Sequence, residues 1–379
     1  MKIVIITGIF PPDIGGPATY VPAIASDLVQ RGHRVTVVTL SDAVTHQDNY
    51  PFHLIRLSRQ QFKVWRALKT AWCIVRQGRT AEVMFVNGLA LEAVVANALL
   101  RKPMVQKIVG DLAWERAAIA GQTRDDFEAF QRTKYGLRLE LSKWLRSWWT
   151  RRANLIITPS QYLARCVMGW GIPEERIHVI YNAVECLDHI QPAQVPLGTA
   201  LKLVTVGRLV PWKHVDSLVK VLSQLDEVGL VVIGDGPERQ QLESLASSLG
   251  VADRVHFAGQ RSKTETYALM AVCDIFVLNS SYEGLPHIVL EAMQFGLPVV
   301  ATAAGGTPEV VSHQRTGLLI QVGNTAALLS AIQNLSQQPQ LRETLGTAAK
   351  ELVRDQFTWE AMVTQTECVL ASLAEQGRS

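Results

Sequence analysis

The sequence predicts an α/β chain of two doubly wound parallel-sheet domains that face each other across a cleft. Three observations predict it. Apolar runs of strand length alternate with helix-period stripes along the whole chain, the pattern of βαβ units and parallel sheets. That alternation breaks once, between Leu187 and Ala200, where Pro192, Pro196 and a loss of periodicity mark a linker. A length of 379 residues exceeds one ordinary core and is enough for two.

The elements follow in order. Lys2 to Thr7 is a continuous apolar strand, and the loop after it ends at Gly15-Gly16. Tyr20, Val21, Ile24, Ala25, Leu28 and Val29 then form one helical stripe, which Gly32 stops. Further strands of the first half are expected at 34–40, 83–86, 105–109 and 155–158. The second half places strands at 201–206, 230–233, 254–257, 275–278, 299–301 and 318–320, with helices at 215–225, 237–249, 264–272, 288–295 and 325–335. Ligands of such sheets sit beyond the carboxyl ends of the strands, so a ligand gripped by both domains lies between them.

Charge is distributed unevenly. Residues 1–181 carry 24 Lys+Arg against 14 Asp+Glu, and the remainder 13 against 20. The first half therefore suits an anionic partner, a membrane surface or a phosphate-bearing acceptor, weighed against a merely soluble basic surface. Cys73, Cys166, Cys186, Cys273 and Cys368 are scattered, which indicates neither a disulfide framework nor a zinc site and fits a reducing cytoplasm. The apolar start is cut by Gly8 and Pro11-Pro12 where a signal peptide would continue. The stretch Ala81 to Leu100 is interrupted by Glu82, Asn87, Glu92 and Asn97, short of the roughly 20 apolar residues that span a bilayer. Any membrane contact is then peripheral. A candidate lies between Asn49 and Ala81, where seven Lys/Arg and no acid mix with Phe62, Trp65 and Trp72. Arg138 to Arg152 adds Trp144, Trp148, Trp149 and five cations, but Leu137, Leu141, Leu145 and Trp148 recur at the spacing of a core stripe.

Candidate chemistry centres on Glu283-Gly284-Leu285-Pro286 to Glu291, two carboxylates eight positions apart where a strand gives way to a helix. A helix opening near Pro286 points free N–H groups and its positive dipole end at a docking anion. Paired carboxylates beside an anion site suit hydroxyls, so the ligand carries both, as a nucleotide sugar does. Gly207-Arg208 to Lys213, after the first strand of the second domain, brings two cations to the same cleft. An arginine fork and a mobile lysine suit a diphosphate leaving group. In Gly234-Asp235-Gly236-Pro237, Asp235 reads as a helix cap. Gly305-Gly306-Thr307-Pro308-Glu309 has both structural and ligand-lining character, and Gly15-Gly16 lets amides approach a phosphate.

Together, in this order and spacing, these segments resemble the retaining glycosyltransferases of family four (glycosyl transferases group 1), with the GT-B architecture of two facing Rossmann-like domains. The resemblance spans nearly the whole chain. It implies that Arg208 and Lys213 hold the donor diphosphate, that Glu283 with Gly284, Leu285 and Pro286 holds the sugar, that Glu291 holds the ribose, and that Gly16 contacts the phosphate from the opposite side. It divides the chain into an acceptor-binding domain (1–186), a linker (187–200), a nucleotide-sugar domain (201–355) and a C-terminal helix (356–379) that crosses back to the first domain. One departure is plain. Members commonly place a histidine near the sugar where this chain has Gly110-Asp111, and no histidine occurs between His53 and His178. Asp111 is expected to take that catalytic role, against the alternative of a helix cap, and Glu115 is a second carboxylate four residues on.

The resemblance further implies front-face substitution, the departing diphosphate helping to take the acceptor proton. No Asp-x-Asp pair stands near a phosphate site, so a metal-independent reaction is expected, with no cofactor beyond the donor substrate. The acceptor is expected to be a glycan, glycolipid or polysaccharide precursor, and the place the cytoplasm or the inner membrane face. No nucleic-acid partner is expected. The alternatives are a nucleotide-sugar epimerase of the same architecture, against which the Arg208/Lys213 pair argues, and a non-catalytic partner subunit. A dehydrogenase is the least favoured reading, because no Gly-x-Gly-x-x-Gly follows a strand with an acidic residue about 20 positions on.

Overall fold

The computed structural model describes residues 1–13, 15–42, 49–185 and 190–377. Cys186 and positions 187–189 of the expected linker lie outside the described residues. In chain order the first half runs β1 (Lys2–Thr7), α1 (Gly16–Gln30), β2 (Arg34–Leu40), β3 (His53–Leu57), α2 (Lys63–Gly78), β4 (Val83–Asn87), α3 (Ala90–Leu100), β5 (Met104–Lys107), α4 (Leu112–Ile119), α5 (Phe127–Arg132), α6 (Leu137–Thr150), β6 (Leu155–Thr158), α7 (Gln161–Gly169) and β7 (Ile177–Val179). The second runs β8 (Leu201–Val206), α8 (Val215–Leu222), β9 (Val228–Ile233), α9 (Arg239–Ser248), β10 (Val255–Gly259), α10 (Lys263–Met270), β11 (Ile275–Leu278), α11 (His287–Gln294), β12 (Val299–Thr302), β13 (Leu318–Ile320), α12 (Thr325–Gln337), α13 (Pro339–Gln356) and α14 (Trp359–Gln376).

These strands form two parallel sheets, ordered β3-β2-β1-β4-β5-β6-β7 and β10-β9-β8-β11-β12-β13. The chain is thus an α/β protein of two Rossmann-like domains. β4 and β9 are buried at every position, as strands covered by helices on both faces must be. Sequence periodicity misses β3 and β7. β3 is an edge strand whose residues are at best half-buried, and β7 has three residues, so neither shows a continuous apolar run. In both sheets the strand order reverses at the first strand, between β1 and β4 and between β8 and β11. Such switch points open a crevice at the carboxyl ends, and the two crevices face each other.

Apolar layers cover both faces of each sheet. Ile3, Val21 and Leu28 belong to a layer that takes in Val363, Leu370 and Leu373 of α14. The last helix therefore packs on the first domain, where Arg31 and His33 also pair with Glu367 at 2.7 Å each. A separate aromatic cluster joins the halves: Trp114 lies 5.1 Å from Trp212 and 4.9 Å from Tyr282, and Phe127 stacks on Tyr282 at 4.2 Å. The expected core stripe of α6 is corrected at its start, because Leu137 and Leu141 are exposed; among the described residues no element covers that end.

Candidate active site

A cleft of about 820 Å³ lies between the carboxyl ends of the two sheets, lined on one side by Gly15, Gly16 and Lys107 and on the other by Arg208, Leu285 and Glu291. α1 starts after Gly15 with no side-chain cap, and α11 starts after Pro286, also uncapped. Two helix N-termini with unsatisfied amides thus meet one cavity, an arrangement that favours anions. The Arg208 guanidinium is exposed and makes no ion pair or hydrogen bond among the described residues.

The 283–286 turn is fixed by close backbone approaches. A Cβ at Gly305 would come 1.9 Å from the Glu283 carbonyl, and a Cβ at Gly284 2.4 Å from the Val109 carbonyl of the opposite domain. Ser160 donates its hydroxyl to the Gly284 carbonyl at 2.6 Å, and the Gly306 N–H donates to the Glu283 carbonyl at 2.9 Å. Neither Gly284 nor Gly305 leaves room for a side chain. Pro286 has no N–H to offer a ligand; its place is at the helix start, where its ring presets the backbone. One turn on, Glu291 is 9% exposed, with His287 Nδ1 3.2 Å away. His287 Nε2 lies 2.9 Å from the Ala183 carbonyl, which ties this corner to the chain between the sheets.

Lys213 and Glu283 are brought together as a pair, Nζ to Oε1 2.5 Å. Each is the other's counterion here. Asp111 is taken out of the cleft, which corrects its expected catalytic role. It is 0% exposed, caps α4 by accepting from the Ala113 N–H at 2.9 Å, accepts from Gln131 at 2.9 Å and is ion-paired with buried Arg146. Its carboxylate is engaged by three donors of the protein and shut off from solvent, and it acts as the helix cap. Among the described residues no group of His, Cys, Asp and Glu could hold a metal ion.

Comparison with known proteins now adds to this geometry. The sequence pattern described as Glycosyltransferase Family 4 matches residues 14–186, and that described as Glycosyl transferases group 1 matches residues 189–352. The chain belongs to glycosyltransferase family four. This glycosyltransferase is 34% identical to the lipopolysaccharide core biosynthesis glycosyltransferase LpsD of Rhizobium meliloti over 54% of its own length and 60% of the relative's, so the match spans less than two thirds of LpsD. It is 26% identical to the N-acetyl-alpha-D-glucosaminyl L-malate synthase of Bacillus anthracis over 94% of both chains. The crystal structure of Anabaena HepE with UDP and glucose superposes with a TM-score of 0.81 at 22% identity, covering 98% of this chain and 100% of that one. That likeness gives the fold, GT-B.

Several roles in and around the cleft escape sequence reasoning. Lys107, the last residue of β5, is buried at the cleft with its ammonium 3.6 Å from the centre of the Tyr20 ring. Burial pushes its pKa down to about 7. Glu309 reaches across the domains to accept from the Gln161 and Tyr162 N–H groups at 2.8 and 2.7 Å, so it caps α7. Trp212 and Tyr282, each adjacent to a predicted site residue, anchor those residues in the aromatic cluster. A lysine inside the otherwise apolar strand expected at 105–109 could have marked Lys107; nothing local marks the roles of the rest, because their partners are distant in sequence.

Proposed function

We propose that this glycosyltransferase moves a hexosyl group from a nucleoside diphosphate sugar to an acceptor hydroxyl with retention of configuration. One observation carries the reading: exposed Arg208 and the uncapped start of α11, with Glu291 one turn on, face the uncapped start of α1 across a single cleft. The cation and amides suit a diphosphate, and the carboxylate suits ribose hydroxyls. In this reading Arg208 and Lys213 hold the diphosphate with Gly16 opposite, Glu283 and the amides of Gly284 and Leu285 hold the sugar, and Glu291 accepts from the ribose. A diphosphate entering beside Lys213 replaces Glu283 as its counterion and frees that carboxylate for hydroxyls.

The bond between the anomeric carbon and the diphosphate oxygen breaks while the acceptor oxygen bonds to the same face of that carbon. The acceptor proton passes to the departing diphosphate, whose growing charge Arg208 and Lys213 stabilise. No metal or further cofactor enters the scheme. The acceptor is a glycan or lipid-linked glycan, and the enzyme works in the cytoplasm at the inner membrane face. The structural support is a face of the first domain where Trp65, Leu68 and Trp72 of α2, Leu91, Val95 and Leu99 of α3, and Leu137, Leu141 and Trp144 of α6 stand exposed. No helix among the described residues is long and apolar enough to cross a membrane, so contact is peripheral.

Calorimetry across UDP-, GDP- and ADP-sugars, with and without EDTA, tests the donor site. Arg208→Ala is expected to weaken the bound donor about tenfold or more, the value of one charge-assisted contact. Undiminished affinity in that variant would remove the assignment, and inversion at the anomeric carbon of the product, read by NMR, would remove the front-face scheme.

A further inference from the structure

Glu115 is a carboxyl without a hydrogen bond or ion pair among the described residues, set in the contact between the two domains. It sits in the first turn of α4 and folds back over Gly110. A Cβ at Gly110 would lie 2.4 Å from Glu115 Oε1 and 3.5 Å from the Tyr282 hydroxyl. That hydroxyl, from the second domain, is buried and has no hydrogen-bond partner either. The charged and titratable groups facing Glu115 come from each surrounding element: Asp111 and Arg116 of its own loop and helix, Arg208 after β8, and Glu283 and Tyr282 after β11. Arg208 and Val109 line the cleft, and Glu115, beside Gly110 and within the field of Arg208 and Glu283, stands next to the end of it that the proposed sugar would take. A partly buried carboxyl lacking a donor is costly to fold around. No neighbour among the described residues satisfies it, and the bare backbone at Gly110 makes the space it occupies.

We infer that Glu115 is a specificity-determining residue that accepts a hydrogen bond from a hydroxyl of the transferred sugar, a partner the unliganded cleft does not supply. This rests on the glycosyl-transfer reading of the cleft. It carries a linkage that a structural role would not. Burial first, and then the Asp111 charge, raise the Glu115 pKa to about 7, so near neutrality the carboxyl is about half protonated. A sugar hydroxyl donates more strongly to the ionised form than to the protonated one, so donor binding pulls the group toward ionisation and expels that proton to the buffer.

The test is calorimetry of UDP-glucose, GDP-mannose and ADP-glucose at pH 7 in phosphate and in Tris, whose heats of ionisation differ. For the donor that binds, release of about half a proton per site is expected, falling to none in Glu115→Gln and at pH 8.5, with affinity down about tenfold in the variant. The parent diphosphate is expected to bind Glu115→Gln as it binds the unaltered protein, which also reports folding. Glu115→Ala serves as the second variant. A donor that binds without releasing protons, or whose release survives Glu115→Gln, would overturn the assignment while leaving the donor site standing. Failure of every nucleotide sugar and diphosphate to bind would instead sink the donor site and this inference with it.

Discussion

Asp111 and Arg146 illustrate how much a single buried pair can carry. Burial of Arg146 pushes its pKa down, and the Asp111 charge opposes that. Removing the cation leaves a carboxylate 0% exposed with the Gln131 amide and the Ala113 N–H as its donors among the described residues. Arg146→Met is therefore expected to lose about 3–5 kcal/mol of stability, and Asp111→Asn added to it to recover part. Urea denaturation measures both; a loss under 1 kcal/mol would contradict the pairing. Glu115 works the other way. Its folded pKa of about 7 lies above the ordinary 4.5, so the folded state binds more protons than the unfolded between those values. Stability then falls as pH rises through that window and is level above it. Glu115→Gln should match the parent near pH 4.5 and exceed it by on the order of 1–3 kcal/mol at pH 8. A gain independent of pH would show that the group does not titrate there. At this scale the sequence reveals residues whose chemistry follows from the strand just before them, such as Arg208 after β8 and Glu283 after β11. Glu115 shows in the sequence only as a second carboxylate four residues after Asp111, since its setting depends on Tyr282, far away in the chain.

Individual elements show the same division. β1, β4, β8 and β9 announce themselves because helices cover both faces of their sheets, and strands so placed are mostly apolar runs. β3 and β7, at the two edges of their sheet, are not so covered and give no such signal. α2 is the most informative helix. Its inner face buries Thr70, Ala71, Cys73 and Ile74, while Trp65 and Trp72 on its outer face are 64% and 63% exposed. Lys63, Arg66, Lys69 and Arg76 accompany them without an acid. α2 packs on α3 and α3 on α6, so three apolar rows share one side of the domain. Anionic phospholipid vesicles should sediment the protein, and zwitterionic ones much less, since each basic residue near such a surface adds about 1 kcal/mol. Replacing Trp65 and Trp72 together by Asp should cut vesicle binding at least tenfold with donor affinity intact. Equal binding to both lipids would remove the basic face from the account.

For the molecule as a whole, the last helix matters as much as the first strand. Met362, Val363, Leu370 and Leu373 of α14 are buried in the layer over β1 and α1. At about 1.5–3 kcal/mol for each large side chain, these four contribute on the order of a small domain's entire stability. Deleting residues 356–377 should therefore abolish cooperative melting of the first domain, seen as a lost transition in calorimetry. A truncated protein that kept both transitions would show the helix to be dispensable.

The chain passes between its halves twice, before β8 and after α13, and the two passages touch: the Val184 N–H donates to the Phe357 carbonyl at 3.2 Å, and Val184 bridges Thr358. Two strands crossing side by side resist swivelling as one alone would not. A door hung on two pins swings about one axis only. A widening of the crevice that spares this bridge turns about Val184 and Thr358, and it must part the close contact between Val109 and Gly284.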